Sequence, residues 1–226
     1  SNLPDPTIGP GQSSQADDHF NTVLWSGNGS TQSITGVGFQ PDFIWAKERS
    51  STSGHTLLDV VRGVNKGLES NTTDAEENYS TTTQTSFDTD GFSVGSNGRI
   101  NQSSQTYVAW NWKAGTAFSN DASATGVGSL DSTGSVNQAA GFSIISYTGT
   151  IQTGETVAHG LGGVPELIIA KNRDSAANWV VFTKDLTTDR TLYLNLTNAQ
   201  NNSATTWGNH TSTVFGVDDD PQSNGN

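Results

Sequence analysis

Pro41-Asp42-Phe43-Ile44-Trp45-Ala46-Lys47-Glu48-Arg49 returns later in the chain as Pro165-Glu166-Leu167-Ile168-Ile169-Ala170-Lys171-Asn172-Arg173. Proline, an acid, an apolar residue, isoleucine, alanine, lysine and arginine recur in register, so that Pro41, Lys47 and Arg49 answer to Pro165, Lys171 and Arg173. A matching lead precedes each copy: Phe20, Val23, Leu24, Trp25, Ser26 and Gly27 before the first, Phe142, Ile144, Ile145, Tyr147, Thr148 and Gly149 before the second. The chain reads as two copies of one unit.

Each copy has the pattern of a strand, a glycine-rich turn and a second strand opening just after its proline. Proline is tolerated at a strand's first residue because no ladder donor is needed there, and Phe43 to Trp45 and Leu167 to Ala170 are short β-forming apolar runs. The lysine and arginine closing each run are two residues apart and share a face, where solvent or local acids would hold them.

The predicted fold is all-β: two tandem antiparallel β-sandwich domains of jelly-roll type joined by a Gly/Ser-rich linker. At roughly 100 residues each, such repeats are ordinary domains that can bury a core. Residues 1–18, with Pro4, Pro6 and Pro10, read as an extended N-terminal arm. Residues 19–115 form the first repeat, 116–140 the linker and 141–226 the second repeat. Tyr107-Val108-Ala109-Trp110-Asn111-Trp112 alternates cleanly and closes the first repeat. No counterpart follows Val214-Phe215-Gly216-Val217, so the second repeat is expected to lack its closing strand. An open sheet edge is a liability that proteins cover, which calls for further chain or another chain to complete it.

Other stretches are less decided. Leu57, Leu58, Val60, Val61, Val64 and Leu68 mix strand and helical spacing, leaving a short helix or a strand with a turn at Gly63. Residues 70–86 are polar and read as a long loop, where function tends to sit.

The chain of 226 residues is 31% hydrophobic and 14% charged, with a net charge of −12. A net acidic chain with ten unclustered basic residues is a poor match for nucleic acid or anionic membrane. Cysteine is absent, so nothing reports the redox compartment. No apolar run approaches membrane-spanning length.

Asp88-Thr89-Asp90-Gly91 places Asp88 and Asp90 at alternate positions before a glycine, as at the start of a calcium loop, but the further oxygen ligands do not follow. A polar turn is the simpler reading, and no cofactor is expected beyond that candidate Ca²⁺ position. Asp218-Asp219-Asp220 reads as a solvated acidic turn. The four histidines lie at no ligand spacing, and no nucleophile motif appears, so catalysis is not expected. Aromatic faces with abundant amides suit sugars. The alternation assigns at least two of Trp45, Trp110 and Trp112 to the core, leaving Trp179 and Trp207 as candidate ligand platforms.

The run Leu24 to Ile34, Gly38-Phe39-Gln40-Pro41-Asp42-Phe43, the Phe87 to Gly95 turn and Tyr107 to Gly115 resemble tandem-repeat virion surface proteins of tailed bacteriophages, many of them marine. The order of elements is also similar to β-sandwich modules of tail-fibre tips and H-type lectins. The resemblance implies a non-enzymatic structural protein at the virion surface: a tail fibre, an appendage or a capsid decoration. It implies partners among its own copies, a trimer included, and among other virion proteins. The alternative it offers is a receptor-recognition module binding host surface glycan.

Overall fold

The computed structural model describes residues 14–79 and 82–225. Residues 1–13 of the expected N-terminal arm lie outside that range, while Ala16–Asp18 forms one 3-10 turn. There the Asp18 carboxylate accepts the Gln15 N–H at 2.7 Å.

The first repeat contributes β1 (Phe20–Ser26), β2 (Gln32–Thr35), β3 (Phe43–Glu48), β4 (His55–Asp59), β5 (Lys66–Gly67), β6 (Glu77–Asn78), β7 (Gln84–Asp88), β8 (Gly91–Val94), α1 (Gly98–Asn101) and β9 (Thr106–Trp112). There follow β10 (Thr116–Asn120), α2 (Ala122–Thr125), β11 (Ser132–Asn137), β12 (Phe142–Tyr147), β13 (Glu155–Ala158), β14 (Leu167–Ala170), β15 (Val180–Thr183), β16 (Arg190–Tyr193), β17 (Asn201–Asn202), β18 (Val214–Val217) and α3 (Pro221–Asn224). The protein is mostly β, 40% strand and 7% helix, in several antiparallel sheets. The undecided stretch after Thr56 is strand β4 and a turn, with Gly63 at φ 88°.

In the first repeat the sheet ordered β1-β9-β3-β4 faces the sheet β2-β8-β7 across one core. Val23, Ile44, Ala46, Leu58 and Ala109 enter it from the first sheet, and Ile34, Phe92 and Val94 from the second. Strand β3 shows the cause: its burial alternates residue by residue, with Ile44, Ala46 and Glu48 buried and Phe43, Trp45 and Lys47 half-buried on the other face. Burying each aliphatic side chain contributes about 1.5–3 kcal/mol. Glu48 is held there by the Ser53 hydroxyl at 2.8 Å and the Ser50 hydroxyl at 3.2 Å.

This register corrects the placement of the tryptophans. On β9 the core-facing residues are Tyr107, Ala109 and Asn111, opposite Trp25, Val23 and Asn21 of β1, while Trp110 and Trp112 occupy the outer face. The Trp112 ring packs on Phe20 and Phe43, with centroids 4.9 Å and 5.4 Å away. It also stacks on Phe142 of the second repeat at 6.0 Å. The outer face is thus covered by aromatic neighbours and is not the interior of the repeat.

The expected linker is also corrected. Residues 116–140 hold β10, α2 and β11, and β11 pairs with β12 along its full length. An edge hairpin needs few apolar anchors, and here Leu130 and Val136 suffice. Asp121 caps α2 by accepting the Ala124 N–H at 3.0 Å, and Asn120 donates to the Val127 carbonyl at 2.9 Å. Backbone ladders and caps order a stretch whose composition resembles a flexible spacer.

The two copies share a structural hub that the repeat motif does not contain. Asn101 is fully buried and donates to the carbonyls of Ser30 and Gly95, both at 2.6 Å. Its oxygen accepts the Asn28 N–H at 3.1 Å. Asn224 repeats this in the second copy, accepting the Thr150 N–H at 3.0 Å and donating to the Gln152 carbonyl at 2.9 Å. The glycines before Asn28 and Thr150 answer to the same hub: a Cβ on Gly27 would overlap the Gln102 carbonyl oxygen, and one on Gly149 the Gly225 carbonyl oxygen.

Candidate assembly site

The polar stretch after Leu68 is the clamp between the repeats. Glu76 donates its N–H to the Arg173 carbonyl and Ala177 donates to the Thr73 carbonyl, both at 2.8 Å. The Glu76 carboxylate takes Arg173 Nε at 2.9 Å and Nη2 at 3.0 Å. It also meets Arg62 Nη1 at 3.3 Å and Lys66 at 3.9 Å. Arg62 is itself held by Asp59 at 2.5 Å and by the Leu57 carbonyl at 3.0 Å. Burial pushes the Glu76 carboxyl up, but the Arg173 hydrogen bond and the charges of Arg173 and Arg62 outweigh it, and the group sits below the usual carboxylate range. The hydrogen bond to Glu76 in turn raises Arg173. A carboxylate with this many donors is satisfied as an ion.

Trp179 is not a ligand platform. It is 5% exposed, packed on Leu57 and Leu68 of the first repeat, and its Nε1 donates to the Glu69 carbonyl at 2.8 Å. Trp207 is 2% exposed. It is packed with Val180 and Phe182, and its Nε1 donates to Thr191 Oγ1 at 3.3 Å. Neither indole presents a face to a sugar, because each fills an interior that the sequence could not show closing over it.

Asp88 and Asp90 serve the turn. Asp90 accepts the Gly38 N–H at 2.6 Å and the Gly36 N–H at 3.1 Å, which holds its pKa below the ordinary value. Asp88 accepts the Ser93 hydroxyl at 2.7 Å. The two carboxylates bind different partners and do not converge, and among the described residues no cluster of three or more His, Asp or Glu could hold a metal ion.

The repeated motif residues divide. Pro41 and Pro165 are both buried. Lys47 donates to the Glu48 and Ser51 carbonyls, and Lys171 to those of Asn172 and Ser175. Each lysine therefore closes the loop after its strand. Burial lowers Lys171 to about 8. Arg49 is exposed, whereas its counterpart Arg173 makes the clamp.

The strongest difference between the copies lies beside β14. In the first repeat β9 sits between β1 and β3 and pairs with both. In the second, β12 pairs with β11 and β14 with β15, and among the described residues no strand joins β12 to β14. The side chains that β9 would cover are accordingly less buried. Val23, Ile44 and Ala46 are 8%, 0% and 2% exposed, but their counterparts Ile145, Ile168 and Ala170 are only half-buried. Leu167 and Ile169 on β14 are 59% and 40% exposed. The end of β9 is anchored by Asp42, whose Oδ2 accepts the Ala114 N–H at 2.7 Å and the Gly115 N–H at 2.5 Å. Glu166 occupies that place in the second copy and is exposed, meeting Lys184 at 2.7 Å.

Neither a search of curated proteins nor one of solved structures returned a match to this chain. A family profile described as a domain of unknown function matches residues 15–226, running through both repeats as one unit. The chain, matched over nearly its whole length, belongs to that family, DUF7483.

Proposed function

We propose that this chain is a non-enzymatic structural protein of a bacteriophage particle, displayed on the virion surface as a tail fibre, appendage or capsid decoration. In this reading it is two tandem β-sandwich repeats assembled as a multimer. The observation that carries it is the contrast between the repeats: they are clamped to each other through Glu76, Arg173 and Trp179, yet among the described residues no strand pairs with both β12 and β14 as β9 does with β1 and β3. A clamped double module with open strand edges suits assembly. The sequence resemblance supplies the setting. The glycan-recognition alternative loses the two tryptophans on which it rested, since both are buried.

Peptide mass mapping of gradient-purified particles from the source, with immunogold labelling by antibody to the chain, tests the reading. Surface label on intact particles is expected. Recovery of the chain only from the particle-free soluble fraction would overturn it.

A further inference from the structure

The position between β12 and β14 has a filled counterpart in the first repeat. In the first repeat the occupant is β9, a seven-residue strand. Its core face presents Tyr107, Ala109 and Asn111. Tyr107 and Ala109 lie between Trp25 and Val23 on one side and Glu48 and Ala46 on the other. Strand β14 of the second repeat keeps the orientation of β3. Asp42 of β3's lead accepts the Val60 N–H, and Glu166 of β14's lead accepts the Lys184 N–H. The even-numbered residues of both strands therefore bond toward β4 and β15, and the N–H groups of Leu167 and Ile169 point into the gap. Arg173 reaches from the end of β14 to Ser146 of β12 at 3.0 Å, spanning the outer face of the gap at one end.

We infer that this gap is a strand-acceptor groove whose occupant is an extended segment of β9 chemistry. That chemistry is an aromatic, a small residue and an amide at alternate positions on the core face. The aromatic packs beside Tyr147, the small residue lies between Ile145 and Ala170, and the ladder is completed on both edges. Exposed Glu166 stands where Asp42 receives the strand's trailing N–H groups and supplies the same anchor. The groove selects by backbone pairing for affinity and by the alternating side chains for register. This deepens the assembly reading and rests on it only for its biological setting. Strand capture in solution can succeed whether or not the chain is found on particles.

The test is titration of the 226-residue chain into a fluorescein-labelled peptide with the sequence of residues 105–115, followed by anisotropy, with hydrogen exchange read at β12 and β14. Saturable binding is expected, with slowed exchange at Ser143, Ile145, Leu167 and Ile169. A scrambled peptide, or one with Arg at the Ala109 position, should bind at least about tenfold more weakly, since a larger side chain overpacks that interior position. In the protein, Ile169→Pro removes a donor that faces the groove while leaving the β15 ladder intact. It should keep the thermal midpoint and lose at least about tenfold in peptide affinity. Three results would each overturn the proposal: equal binding of the scrambled peptide, protection elsewhere with none at these strands, or peptide exclusion by self-pairing of these edges in a dimer seen by sedimentation.

Discussion

Arg173 of the second repeat closes on both carboxylate oxygens of Glu76 in the first, Nε to Oε2 at 2.9 Å and Nη2 to Oε1 at 3.0 Å. The same carboxylate faces Arg62, whose side chain is 6% exposed. Two guanidinium groups from different repeats thus depend on one acid.

Replacing that acid leaves Arg62 buried beside Asp59 alone and frees Arg173. Glu76→Gln should cost about 2–3 kcal/mol, less than a fully buried pair because Arg173 is partly solvated. In calorimetry that is a fall of roughly 5–10 °C in the thermal midpoint. The wild-type carboxyl is depressed on folding, so its contribution is present above the unfolded carboxyl range and is lost as pH falls through the lower folded value. The variant's stability should therefore fall less steeply than wild type below about pH 4. Parallel acid profiles would rule out the clamp.

Trp179 inserts between the repeats, so its removal tests whether they unfold together. Trp179→Ala should cost about 3–5 kcal/mol through the cavity it leaves and split a single thermal transition into two. Trp179→Phe keeps most of the packing on Leu57 and Leu68 and loses the bond to Glu69, and it should fall between. An unchanged single transition in the alanine variant would show that the repeats are coupled by other contacts.

His210 lies against Phe182, ring centroids 4.2 Å apart. Its Nδ1 accepts the Gly216 N–H at 3.2 Å, and its buried Nε2 has no hydrogen-bond partner among the described residues. Burial, with a smaller contribution from His159, pushes its pKa down to about 4. A histidine depressed on folding contributes stability above its unfolded value near 6.5, and that contribution is lost as pH falls toward 4. Ring-proton NMR should show His210 still neutral at pH 5, and His210→Gln should flatten the stability profile between pH 6.5 and 4. A titration midpoint near 6.5 would refute this placement.

Asn101 satisfies five polar groups from an interior position. Asn101→Ala should cost about 3 kcal/mol, since several backbone groups are left without partners in a water-excluded site. Asn224→Ala should cost less, because its side chain makes three hydrogen bonds where that of Asn101 makes five. Urea midpoints at constant slope would measure both, and equal losses would argue against the number of hydrogen bonds as the cause.

The repeat, the β class and the strands themselves were legible in the residues. The apolar runs at Leu167–Ala170 and Phe142–Tyr147 fall where strands form. These are local or periodic signals, and two-residue alternation survives whatever the strand packs against. The hub asparagines were not legible: in a chain this rich in Asn, nothing local marks Asn101 from its neighbours. The strands within residues 116–140 were missed because their order comes from ladders with β12, while their composition is that of a spacer.

By itself, then, the sequence determined where the apolar strands of the repeated motif run and which of their residues share a face. Only the tertiary structure decided which face is interior, that the loop after Leu68 grips the second repeat through Glu76, and that Trp179 and Trp207 are buried. Burial and ion pairing depend on what distant chain is laid over a residue, and Glu76 meets Arg173 across a separation no local pattern encodes.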